Sequence, residues 1–389
     1  MKVFFRRIHL YLGLATGLVM MITCFTGAIL VFEEELQHFF YKERYYVQRG
    51  SQRQPLDDLI KAVQQKMPGA QISGVKVYTD DARSAELNYT VKKKDAGKRK
   101  PAAGESRAPE NTRLTAFVNP YNAEVIELYN YRGTFFYSMM SLHRWLLAGA
   151  TGKLITGIST LVFLFIIITG IILWWPKTKS ILAQRLKIKW KSGWKRLNHD
   201  LHIVLGFYSC IILFVFAFTA LAWSFDWFNK GIYSVTKSSM QGYKPPVVAS
   251  QALPVISFEE VLQLARNSIV NARYYNISAP KDSLSPYTIG VLSTKAPHET
   301  AVDNYYADRY DAIIIGAQKF SERNLGQKTR STFKPVHTSA IFGLPSKIIG
   351  FIACLFGASF PVTGTIMWLN RIRKKKQATV GKVYQSAGS

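Results

Sequence analysis

The chain is short of acid. Against 50 lysines and arginines stand 24 aspartates and glutamates in 389 residues, a formal net charge of +26. So basic a chain with evenly spread apolar residues would read as a nucleic-acid binder. Here charge is absent from four long apolar runs and concentrated beside them, so nucleic acid is not an expected partner. Cysteine is nearly missing. Cys24, Cys210 and Cys354 each fall inside an apolar run, which excludes a disulfide framework. No Gly-x-Gly-x-x-Gly occurs, so nothing resembles a nicotinamide or flavin site. Disorder as the global state is excluded by an aromatic content of 13%. The mean hydropathy of +0.02 therefore averages two unlike materials, membrane spans and polar segments.

The four runs are Leu10–Phe32, Leu154–Trp175, Ile203–Trp223 and Ile348–Leu369, of 23, 22, 21 and 22 residues, without Asp, Glu, Lys, Arg or His. A bilayer core takes about 20 residues of helix, so they predict a four-helix transmembrane bundle. A basic start and the small residues Thr26-Gly27-Ala28 fit a cleaved signal peptide. The length of the first run, the Glu33-Glu34-Glu35 that follows and the repeat described below predict a retained span. Residues 1–8, 176–198 and 370–389 carry 3, 8 and 6 basic residues and no acidic ones. The positive-inside rule makes all three cytoplasmic, against an anionic lipid leaflet, with both termini inside. The expected order is 1–32 for the start and first span, 33–142 outside, 143–175 for the second span and its approach, and 176–198 for a basic loop. It continues with 199–223 for the third span, 224–336 outside, 337–369 for the fourth span and its approach, and 370–389 for a basic tail.

The second half of the chain repeats the first. His9-Leu-Tyr-Leu-Gly13 opens the first run and His202-Ile-Val-Leu-Gly206 the third, each 17 residues before a threonine, Thr26 or Thr219. His143 precedes Gly170 by 27 residues and Trp174 by 31, and His337 precedes Gly364 and Trp368 by the same spacings. The offsets are 193 and 194. Both halves start inside, so an internal two-fold duplication with parallel repeats is expected. The external regions match more weakly. Amphipathic helices are predicted after Pro55 and after an N-cap at Ser257, and alternation predicts strands at Ile72–Tyr78, Ala85–Val91 and Tyr287–Leu292. Each external region is thus an α+β module. Residues 92–113, with eight basic and three acidic residues, read as a solvated loop, or as a basic arm for an anionic ligand.

Five of the seven histidines stand at span ends: His9, His199 and His202 on the cytoplasmic side, His143 and His337 outside; His38 and His298 lie in external segments. A single boundary histidine is ordinarily a helix cap or a headgroup contact. Two duplicated pairs place imidazoles on facing helices at one depth, where they could fill both axial positions of a haem iron. Zinc would want four protein ligands, or three and a water, and the spans hold no carboxylate. His9 and His202 are the expected ligands of one haem, His143 and His337 of the other. His199, three residues from His202, rivals it. Arg7 and Arg144 could pair with haem propionates, and Arg7 reads equally as a topology determinant. No Cys-x-x-Cys-His is present, so two non-covalent b-type haems are expected. The glycines of the spans suit close packing. Trp174, Trp175, Trp223, Trp227 and Trp368 read as an interfacial belt, and Pro361 predicts a kink. With only short basic segments inside, the electron donor would be a cytoplasmic protein or a membrane quinol.

At these residues the chain resembles the PepSY-associated transmembrane family. The resemblance rests on the His9 and His202 span starts, Leu-His143-Arg-Trp, Val-His337-Thr-Ser-Ala-Ile-Phe-Gly and the two Thr-Gly-x-x-x-Trp exits. It rests also on Asn119-Pro-Tyr-Asn-Ala-Glu-Val, similar to the Asp-Pro-Tyr-Thr-Gly-Glu-Val turn of PepSY modules. The equivalent Asp308-Arg-Tyr-Asp-Ala-Ile departs from that motif. The likeness covers nearly the whole chain. It implies two periplasmic PepSY-like modules on a bacterial inner-membrane protein, haem b, and the activity of ferric-siderophore reductases of the FoxB type. These reduce Fe(III) in a periplasmic ferric siderophore and release Fe(II). The other readings are a permease for an iron chelate, since duplicated bundles recur in transporters, and a regulatory protein whose modules bind peptides.

Overall fold

The computed structural model describes residues 1–91 and 114–387, with side chains to residue 374. The sequence expectation for residues 92–113 lies outside the described residues. Two compact units result: Met1–Phe32 with Ser138–Asn229 and Val336–Ser389, and Glu33–Tyr137 with Lys230–Pro335.

The first unit is a bundle of four helices long and apolar enough to cross a membrane: Lys2–Val31, Gly149–Trp174, Trp194–Ser224 and Leu344–Lys374. The protein is a multi-pass membrane protein. Each helix outruns its apolar run, so Arg7, His9, His199 and His202 sit on span helices rather than before them. The first span packs on the second and fourth, and the third packs on the same two. In hydrocarbon, close approach comes from small residues, because lipid is as apolar as leucine. The seam between the first and fourth spans shows this. A Cβ on Gly17 would stand 3.1 Å from Pro361, one on Gly357 would meet the Cys24 thiol, and one on Gly27 would lie 3.7 Å from the Cys354 thiol. Each cysteine thus fills the space left by a glycine on the partner helix. Pro361 lies within a continuous helix, Leu344–Ala387. Threonine hydroxyls in the spans donate to their own helix one turn back, as Thr16 does to Leu12 (2.9 Å) and Thr160 to Thr156 (2.8 Å).

The second unit differs from the expectation of two modules. It is one eight-stranded antiparallel sheet of β1 (Ala70–Tyr78), β2 (Ala85–Val91), β3 (Leu114–Val118), β4 (Val125–Tyr129), β5 (Ala272–Ser278), β6 (Tyr287–Ser293), β7 (Asp303–Ala307) and β8 (Ile314–Gln318). The order is β4-β3-β2-β1-β5-β6-β7-β8. The two chain segments join through β1 and β5, where Val75 stands opposite Ile277. Outward from that pair the order reads alike on both sides, with β2 and β6 202 residues apart and β3 and β7 189 apart. One face carries the core. Val75, Leu87, Ile277, Ile289 and Val291 pack with Leu59 and Val63 of helix Leu56–Lys66 and with Val261 and Ala265 of helix Phe258–Ser268. Each such side chain contributes about 1.5–3 kcal/mol. The two helices meet at their starts. Ser257 and Glu260 form a capping box, and Glu259 accepts the Leu56 N–H at 2.8 Å.

Candidate functional site

The bundle brings the histidines together as two pairs. The His9 and His202 ring centroids stand 6.4 Å apart at an interplanar angle of 84°, and those of His143 and His337 6.1 Å apart at 65°. In each pair the rings come from different spans or span approaches, and each ring is anchored on a further helix. His9 Nδ1 lies 3.1 Å from the Ile166 carbonyl and 3.0 Å from Thr169 Oγ1. His143 Nδ1 lies 2.9 Å from the Thr23 carbonyl and 3.3 Å from Thr26 Oγ1. His337 Nδ1 lies 3.1 Å from the Phe216 carbonyl and 3.0 Å from Thr219 Oγ1. His202 Nδ1 lies 2.8 Å from Thr363 Oγ1.

These contacts fix the tautomer. A carbonyl only accepts, so Nδ1 carries the proton in His9, His143 and His337. Thr363 donates its own proton to Ser359 or Phe360 (3.1 and 3.2 Å), so its oxygen accepts from His202 too. In all four rings the lone pair is then on Nε2, which has no hydrogen bond among the described residues. Histidine ligands are held in this way, with the other ring nitrogen donating to the protein.

The spacing fits a shared metal atom. A metal–imidazole bond is about 2.0–2.1 Å, so two imidazoles on opposite sides of one metal stand roughly 6 Å apart, centre to centre. Among the described residues no three His, Cys, Asp or Glu side chains converge as a metal site. The protein thus offers two axial nitrogens per site and no further ligands, the donor set of a haem. Glycines admit the rings. A Cβ on Gly27 would stand 3.1 Å from His143 Cε1, and one on Gly170 or Gly364 would stand 3.3 Å from Cε1 of His9 or His202. The fourth such position is Ala220, and the His337 ring lies 5.2 Å from that of Trp223.

His199 is not brought to His9. It is exposed, and its Nδ1 lies 3.4 Å from Asp200 Oδ1. Asp200 is fully buried and also accepts from Arg196 Nε (2.8 Å) and the Lys189 N–H (3.3 Å). His202, by contrast, stands in a π-helical turn, Leu201–Leu205, an irregularity frequent at functional sites. Arg7 and Arg144 are both exposed, Arg144 with its guanidinium 5.3 Å from the Trp145 ring. His38 and His298 lie in the sheet unit, where desolvation holds both below the ordinary imidazole range.

The belt reading fails for Trp174. Trp175 and Trp227 are exposed, but Trp174 is buried and stacks on Phe207 at 3.8 Å and 7°. Ring stacking inside the bundle outweighs the interface here. Sequence reasoning also missed the threonines as imidazole acceptors. Their signal was visible: Thr-Gly or Thr-Ala stands at a constant distance from a histidine in each span.

No curated protein matches the chain. The family model described as the PepSY-associated TM region matches residues 6–371, across all four spans and both histidine pairs, and the chain belongs to that family.

Proposed function

We propose that the chain is a di-haem b electron-transfer protein of the bacterial inner membrane, an oxidoreductase that reduces Fe(III) in periplasmic ferric siderophores and releases Fe(II). The observation that carries this reading is the pair of facing imidazole couples, each ring with Nδ1 committed and Nε2 available. His9 and His202 would hold one haem, His143 and His337 the other. Bound there, haem supplies reversible one-electron chemistry. The chain's own part is positional. Thr169, Thr26, Thr219 and Thr363 hold the rings in one tautomer and orientation, and Gly27, Gly170 and Gly364 let them approach. The contacts of His9 and His143 lie about 16 residues apart along the first span, roughly 24 Å of helical rise. That is most of a hydrocarbon core, so the pairs lie toward opposite faces. The three acid-free basic segments put His9 and His202 toward the cytoplasm, where a quinol or a cytoplasmic protein donates electrons. Membership of the family supports the haem reading, and the equal offsets support a duplicated chain. For the substrate, the support is the likeness to ferric-siderophore reductases.

A reduced-minus-oxidised spectrum of the purified chain, with haem stoichiometry, tests this. Two haems per chain are expected. No Soret band, or one unchanged in His143→Ala and His337→Ala, overturns the assignment. Dithionite-reduced protein is expected to be reoxidised by a ferric siderophore. Failure there removes the substrate and leaves electron transfer standing.

A further inference from the structure

Trp174 carries a polar atom that the proposed function leaves unused. It ends the second span, is 8% exposed, and its Nε1 is buried with no acceptor among the described residues. An indole N–H only donates, and buried donors are almost always paired.

Its neighbours belong to one histidine pair. Ile166, Thr169 and Gly170, which hold or touch His9, lie one and two turns earlier on the same helix, and residues three and four apart share a face. Phe207, the stacking partner, lies on the third span five residues beyond His202. The local charge is also informative. A helix C-terminus repels anions. Here Arg185 donates to the carbonyls of Leu173 and Trp174, and Lys2 Nζ donates to that of Trp175 at 3.2 Å. Two cations thus cover the negative end of the helix and make it hospitable to an anion.

We propose that Trp174 Nε1–H donates a hydrogen bond to a propionate carboxylate of the haem held by His9 and His202, making Trp174 a cofactor-binding residue. This rests on the haem reading above. A bound haem brings to this layer the two things missing there, an acceptor for the indole and an anion for the covered helix end. Arg185, from the basic loop, takes the place given by sequence to Arg7.

Trp174→Phe keeps a ring on Phe207 and removes only the N–H. In the haem-loaded full chain, the carboxylate loses a donor and its charge then favours the ferric state. The midpoint potential of one haem is expected to fall while the other stays, a three- to tenfold change in the reduction equilibrium, up to about 59 mV for one electron. Trp175→Phe, at the exposed neighbour, is expected to move neither. A second readout needs no variant: ultraviolet resonance Raman of the wild-type chain before and after haem loading. One indole N–H band is expected to move to its hydrogen-bonded position. Two haems per chain with both potentials unchanged in Trp174→Phe, or no indole shift on loading, overturns this proposal and leaves the haem reading standing. A chain that takes up no haem overturns both.

Discussion

The bundle and the sheet both repeat, but they repeat different things. In the bundle the repeated items are atoms in place: His9 and His202, His143 and His337, each ring on a threonine of another helix. In the sheet the repeated item is backbone order with inward alternation. Leu87 and Ile289 occupy equivalent core positions 202 residues apart, and Val75 and Ile277 face each other across the join. Facing away from that core, Lys76 and Glu86 correspond to Ser278 and Thr288, and the chemistry does not repeat. A core asks for volume and polarity, so leucine and isoleucine exchange. A ligand and its acceptor ask for a particular atom at a particular place.

The largest effect expected is the loss of one site without the other. His337→Ala should remove one of two haem components in a redox titration and leave the second at its wild-type potential. His202→Ala should do the converse. Loss of both components in either variant would mean that the pairs are not independent sites. Next come the core positions of the sheet. Leu87→Ala and Ile289→Ala should each cost about 2–5 kcal/mol of stability, read by denaturant midpoint. Their equivalence predicts costs alike to within the scatter of such measurements. A large disparity would show that the sheet's two sides are packed on different terms.

A finer comparison lies among the threonines. Thr363 is the acceptor given to His202, whereas His9 has both Thr169 and the Ile166 carbonyl. Replacing an outer-shell partner typically costs ten- to a hundredfold in metal affinity. Thr363→Val should therefore weaken haem retention by about that factor, and Thr169→Val by much less, measured by transfer of haem to apomyoglobin. Equal losses would show that the hydroxyls matter for something other than the tautomer.

What could be read from sequence follows the same division. The spans were legible because a bilayer demands uninterrupted apolar length, though their helices begin several residues before the apolar runs. The histidine pairs were legible because the spacing repeats. The choice between His199 and His202 was not, because three residues apart they share a helix face. It is settled by Thr363 on another helix and by the buried Asp200. The single sheet was not legible either. β1 meets β5 from about 200 residues away, and no local pattern carries such a pairing. The strand β7, Asp-Asn-Tyr-Tyr-Ala, lacks alternation, and β5 is broken by an irregularity between Ala272 and Tyr274.

The smallest effect concerns a turn where backbone repeats and chemistry is slightly wrong. Between β3 and β4, Asn119 Oδ1 accepts the Tyr121 N–H at 2.9 Å, and Asn119 N–H donates to the Glu124 carbonyl at 2.9 Å. Between β7 and β8, Asp308 does likewise with Tyr310 (2.7 Å) and Ile313 (3.0 Å). To close the first turn Ala123 adopts φ +57°, the left-handed region where a Cβ is strained. The similar PepSY turn has glycine at that place. Ala123→Gly removes a penalty of about 1–2 kcal/mol and adds chain entropy to the unfolded state worth about 0.4–1 kcal/mol. The net is a gain of about 0.5 kcal/mol, a small rise in denaturant midpoint at constant slope. If the midpoint falls instead, the Ala123 methyl is packing against something that outweighs its strain, and the turn is held by its side chains as the bundle is.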